Sequence, residues 1–122
     1  MNTTDFLERL TLAAYDTGAK AILSELISPS GRRPPTSIAS LSRWYQKLPS
    51  QDQKMVEALV QISVRAGVFQ VLAVIDGAVS IRHGGEQPGQ LELWYSDLTG
   101  RVLLNDSTTD ALHDLFAERV PL

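Results

Sequence analysis

The stretch QDQKMVEALVQISVRAGVFQVLAVIDG, Gln51 to Gly77, decides the fold. Its first half is amphipathic. Lys54, Glu57, Gln61 and Arg65 recur at spacings of three, four and four, one polar stripe along a helix, with Met55, Val56, Leu59, Val60, Ile62 and Val64 around it. The second half, Ala66 to Ile75, carries no charge and one strongly polar side chain, Gln70. A segment apolar on every side is expected to be enclosed on every side, so this element is expected at the centre of the molecule, with Leu59 and Leu72 both buried.

Two readings of the second half stay open. Gly67 can act as a helix C-cap, leaving Val68 to Ile75 as a strand and Asp76-Gly77 as a tight hairpin turn into Ala78-Val79-Ser80-Ile81. Alternatively the helix continues to Ile75 and Asp76-Gly77 closes it. Val71-Leu72-Ala73-Val74-Ile75 lacks the alternation of a strand with one wet face, which favours the continuous helix.

Upstream, Asp5 with Glu8 three residues on reads as a capping pattern opening a helix from Asp5 to about Leu26, with Gly18 as a break or a point of close helix approach. Gly31-Arg32-Arg33-Pro34-Pro35 reads as an exposed extended linker. Ser37 to Leu48 reads as a short helix whose Trp44 and Tyr45 follow the apolar period and are expected in the core, and Ser50 with Gln53 reads as a capping box for the long helix.

Downstream the signals turn to β. Ala78 to Arg82, Leu91 to Ser96 and Arg101 to Asn105 read as short strands of an antiparallel meander, separated by the His83–Gly89 loop and the Asp97-Leu98-Thr99-Gly100 turn. Thr108 or Thr109 then caps a last helix running to about Val120. The expected class is α+β: N-terminal helices around a long central helix, a small antiparallel β-meander and a C-terminal helix, in a single domain spanning 1–122.

Composition bounds the function. The chain has 122 residues, 43% hydrophobic and 20% charged, as in ordinary globular proteins. It has no cysteine, which excludes thiolate chemistry and disulfides. The N-terminus lacks the pattern of a signal peptide, and Ala66 to Ile75 is about half the roughly 20 residues a membrane helix needs. A soluble cytoplasmic protein is expected, without a membrane partner. Residues 1–50 carry six basic and four acidic groups, residues 51–122 five and ten, for a net charge of −3. That balance argues against nucleic acid as a partner.

Catalytic motifs are lacking: no serine lies in a G-x-S-x-G turn and no glycine run matches a phosphate loop. Asp110, His113 and Asp114 lie within one helical turn, yet at about 100° per residue His113 points away from the two carboxylates. No catalytic residue, cofactor or metal ligand is therefore expected. Asp110, Asp114 and Glu118 repeat every four residues and, with Asp106 before them, form the expected acidic partner-binding surface.

Asp76-Gly77, Leu91-Glu92-Leu93-Trp94-Tyr95, Leu103-Leu104-Asn105-Asp106 and Leu112-His113-Asp114-Leu115-Phe116 resemble a family of small uncharacterised bacterial proteins, over roughly residues 40–118. The resemblance implies a bacterial source and no residue roles. The functional expectation is a non-enzymatic protein-interaction module, of which an immunity protein neutralising a basic toxin partner is one form. The alternatives are a self-associating structural protein, with Trp94 and Leu103 in a homodimer face, and a ligand-binding domain or enzyme using Arg82, His83 and Asp106.

Overall fold

The structure, a computed structural model, describes residues 1–82, 84–87 and 89–122; the loop reading at His83 and Pro88 lies outside them. In chain order it contains α1 (Thr3–Leu10), a π-helical segment (Thr11–Asp16), α2 (Thr17–Ile27), α3 (Thr36–Gln46), α4 (Ser50–Ile75), β1 (Trp94–Asp97), β2 (Gly100–Leu103) and α5 (Leu112–Arg119). Helices first, an antiparallel strand pair next and a helix last make an α+β fold.

The long helix does run unbroken to Ile75. It ends where local chemistry ends it: Gly77 takes a left-handed φ of 80°, and the amides of Ala78 and Gly77 donate to the carbonyls of Ala73 and Val74 at 2.9 and 3.1 Å. These are the paired closing bonds of a Schellman cap, which a glycine at this position makes without a Cβ clash. The strand alternative for Val68–Ile75 is thereby removed. Ala78–Arg82 forms no strand, so among the described residues the β part consists of β1 and β2.

Those strands pair Trp94 with Leu103, Tyr95 with Val102, Ser96 with Arg101 and Asp97 with Gly100. Asp97 Oδ1 accepts from the hydroxyl of Thr99 at 2.6 Å and from its amide at 2.8 Å. Those bonds, the hydroxyl's first, hold the Asp97 carboxyl below the usual carboxylate range. The Arg101 guanidinium lies 4.3 Å from the centre of the Trp94 ring. Asn105 fastens the hairpin to the rest of the molecule. Its Oδ1 accepts from the Leu93 amide at 2.8 Å, and its Nδ2 donates to the carbonyls of Leu91 and Ile75 at 2.8 and 3.2 Å.

At the N-terminus the cap is Asn2 rather than Asp5. The Asn2 side chain accepts from the Asp5 amide at 2.8 Å, which places Asp5 in the first turn. The helix then widens into the π segment. The Thr17 amide and hydroxyl both reach back five residues to the Leu12 carbonyl, the hydroxyl at 2.8 Å. Thr11 Oγ1 donates to Leu7 O at 2.7 Å, the back-bonding by which Thr hydroxyls distort helices.

α1, the π segment and α2 together run antiparallel to α4. Leu7 joins Leu72 in one buried cluster with Leu112, Phe116 and Val120, while Gly18 faces Val64. A Cβ built on Gly18 would lie 3.6 Å from Val64 Cγ1, an ordinary van der Waals distance. Gly18→Ala is therefore expected to raise stability by about 0.5–1 kcal/mol, the helical cost of glycine relative to alanine. Urea unfolding of the two proteins measures it, and a loss would show that the α2–α4 contact cannot admit a methyl group.

At the far end of α2, Ser42 donates to Leu26 O at 2.7 Å, and Leu26, Ser42 and Tyr45 are buried. Tyr45 donates to Glu57 Oε1 at 2.9 Å, and this bond to a carboxylate pushes the phenol above its usual range. The expected core pair is split, because Trp44 is 51% exposed. One residue along a helix rotates the side chain by about 100°, and the surface that α3 packs is the one carrying Ser42 and Tyr45. The capping box at Ser50 is also absent. Gln53 Nε2 instead donates to Tyr45 O at 3.0 Å, bracing α3 against α4.

Candidate functional site

The acidic residues come first because the sequence singles them out. α5 begins at Leu112, later than a cap at Thr108 or Thr109 would give. Both threonines are held in a turn by Asp106. The Thr108 amide donates to Asp106 Oδ1 at 3.0 Å, and the Thr109 amide and hydroxyl donate to Asp106 O at 3.1 and 2.9 Å. Asp110 consequently precedes the helix. Asp110, Asp114 and Glu118 line one shallow depression, whereas Asp106 lines another, beside Asp76 and Asn105. Three members of the expected row share a surface and the fourth does not.

Of the expected pocket residues, Arg82 lines an open depression of about 490 Å³ with Val74, Ile81 and Leu91, and Asp106 lines an adjoining one that shares Leu91 but not Arg82. His83 lies outside the described residues. Arg82 and Asp106 thus line adjoining depressions rather than a single one.

A pairing that the sequence did not suggest joins Asp76 to His113 across 37 positions. Asp76 Oδ2 accepts from the His113 backbone amide at 2.9 Å and lies 2.7 Å from its Nδ1. The two side chains are only 6% and 15% exposed, and Phe69 meets the imidazole edge-on with centroids 5.4 Å apart. No side chain of its own segment caps α5, so Asp76, standing just past the end of α4, supplies that cap from a distance. A carboxylate holding a histidine by Nδ1 is also the orienting half of a nucleophilic triad. Here the other nitrogen, Nε2, lies 3.4 Å from Asp114 Oδ1, a second carboxylate where that chemistry needs a hydroxyl or thiol. Among the described residues no group of three or more carboxylates and imidazoles is arranged to hold a metal ion, and no buried side-chain nitrogen or oxygen lacks a partner. The Asp76–His113 link caps α5 and holds the imidazole against Phe69.

The largest departure from expectation is the rotation of α4 about its axis. Leu72 is 3% exposed, as expected, but Leu59 is 63% exposed, with Met55 at 68% and Ile62 at 51%. The helix touches α2, α3, the π segment and α5, yet they cover one side only. That side takes in part of the expected wet stripe: Glu57 receives the Tyr45 hydroxyl. Arg65 donates to the Val120 carbonyl and lies 5.8 Å from the centre of the Phe69 ring. Successive members of Met55, Leu59, Ile62 and Ala66 are four, three and four residues apart, so they form one outward stripe. By length and composition Ser50–Ile75 is apolar enough to cross a membrane, and little of it is buried within the fold.

The stripe spacing is visible in the sequence. Its exposure is not, because polar residues with buried partners look the same, one by one, as polar residues in water. Comparison with protein-family models, with curated proteins and with solved structures finds no match to this chain.

Proposed function

We propose that this chain is a small, non-enzymatic, cytoplasmic bacterial protein that works as a protein–protein interaction module, with the outward side of α4 as its contact surface. The supporting observation is the outward row Met55, Leu59 and Ile62 on a helix that keeps Glu57 and Arg65 against the protein. Apolar surface left in water forgoes about 25 cal/mol per Å², and a contiguous apolar patch is the usual mark of an interaction site. The acidic row makes no such demand, since carboxylates are well solvated where they stand. An immunity-type contact between Asp110, Asp114 and Glu118 and a basic toxin is the second reading, supported by the shared depression those residues line.

One experiment separates the two. A photo-crosslinking amino acid placed at Leu59, at Glu118 or at the exposed control Lys20 is irradiated in living cells. Discrete protein adducts at position 59, and none at 118 or 20, are expected. Adducts at 118 alone would move the contact to the acidic row, and adducts at neither site would overturn the interaction reading.

A further inference from the structure

Granting that α4 is covered by protein, as proposed above, we propose that the cover is a second copy of this chain, packed through an antiparallel α4–α4 pair centred between Leu59 and Ile62.

Surface area is the first argument. A folded monomer of 13.4 kDa is expected to expose about 6,500 Å², whereas this chain exposes 8705 Å². The excess is roughly 2,200 Å² per chain, and permanent homodimers bury about 1,000–2,500 Å² on each protomer. Summed over the whole chain, the excess is as large as the area one such interface buries on a protomer. Part of the exposed apolar surface lies along α4, at Met55, Leu59 and Ile62, which suits the apolar interfaces of permanent dimers.

The second argument is steric fit. Met55, Leu59, Ile62 and Ala66 have the four-three-four spacing of a helix-pair seam, with no charge in it. In an antiparallel pair about a twofold axis between Leu59 and Ile62, position n meets position 121 − n. Leu59 then packs on Ile62 of the second copy, and the long Met55 on the small Ala66. A parallel pair would set Ala66 on Ala66 and leave a gap, with the helix dipoles aligned unfavourably. Gly67, beside Ala66, has open space where a Cβ would stand and lets a facing backbone approach closely.

A bilayer is the competing cover. A membrane-spanning α4 would have to give up its packing against α2 and α5, including the buried Leu72 and the Arg65 bond to Val120. An α4 lying on a bilayer would bury the stripe without using the pairing of Met55 with Ala66.

The test uses the purified full chain. Light scattering on the size-exclusion peak at micromolar concentration is expected to give twice the chain mass. Leu59→Glu, at an exposed position, is expected to halve that mass with an unchanged far-UV circular dichroism spectrum. Because the chain has no cysteine, register is read by oxidation. Met55→Cys mixed with Ala66→Cys is expected to give the mixed disulfide, and Met55→Cys alone no dimer, its copies lying about 16 Å apart along the axis. A Met55→Cys homodimer would overturn the antiparallel register. A monomeric wild type would overturn self-association; if position 59 still gives protein adducts in cells, the interaction module survives with a different partner. A monomer that binds phosphatidylcholine–phosphatidylglycerol vesicles through Leu59 would overturn both.

Discussion

Replacing Phe116 with alanine is expected to cost about 3–5 kcal/mol, the range for deleting a buried aromatic ring. Phe116 is fully buried within the cluster of Leu7, Leu72, Leu112 and Val120. Its ring also meets Tyr15 edge to face at a centroid distance of 6.4 Å. The cluster joins the first helix, the end of α4 and α5, so neighbours on three rigid elements would have to move together to close the cavity. A domain of ordinary stability has about 5–15 kcal/mol in total, so the loss takes a large share. Urea unfolding at matched chain concentration measures it, since association would add a concentration term. Leu98→Ala, in the fully exposed hairpin turn, is the control and is expected to stay within about 0.5 kcal/mol. A Phe116→Ala loss below 1 kcal/mol would contradict the position given to the core.

Asp76→Ala is expected to cost about 1–3 kcal/mol. Alanine at this position leaves the His113 amide in the first turn of α5 without its acceptor and the partly buried imidazole without its partner. His113→Ala removes only the imidazole and leaves the cap in place, so its loss is expected to be the smaller of the two. Asp76→Asn keeps a side-chain carbonyl that can accept from the amide, and should fall between them. Urea midpoints of the three variants, with amide exchange over Leu115 and Phe116, give the order. Equal losses for Asp76→Ala and His113→Ala would mean that the ring contact, not the cap, carries the effect.

The sequence by itself determined the features that depend on neighbours in the chain. Asp76-Gly77 ends α4 because a glycine able to adopt positive φ follows a run of helical carbonyls that need donors. Asp97 to Gly100 turns the chain because an aspartate two residues before a threonine can bind its amide and hydroxyl. The order of helix, hairpin and helix follows from these stops and from the apolar periods. Capping was less legible, because candidate caps stand close together. Asn2 takes the role expected of Asp5, and Gln53 spends its side chain on α3.

Only the tertiary structure decided which way α4 faces. A helix apolar around most of its circumference, with one polar stripe over half its length, has no strong orientation of its own. Its rotation is fixed by what the neighbours offer, namely the Tyr45 hydroxyl for Glu57 and the Val120 carbonyl for Arg65. Once those two polar groups are satisfied against the protein, Met55, Leu59 and Ile62 must turn outward. The same holds for the partner of His113 and the anchoring of Asn105 to Ile75, which lies 30 positions away. Local sequence rules reach about one helical turn, and pairings this far apart are set when the elements meet.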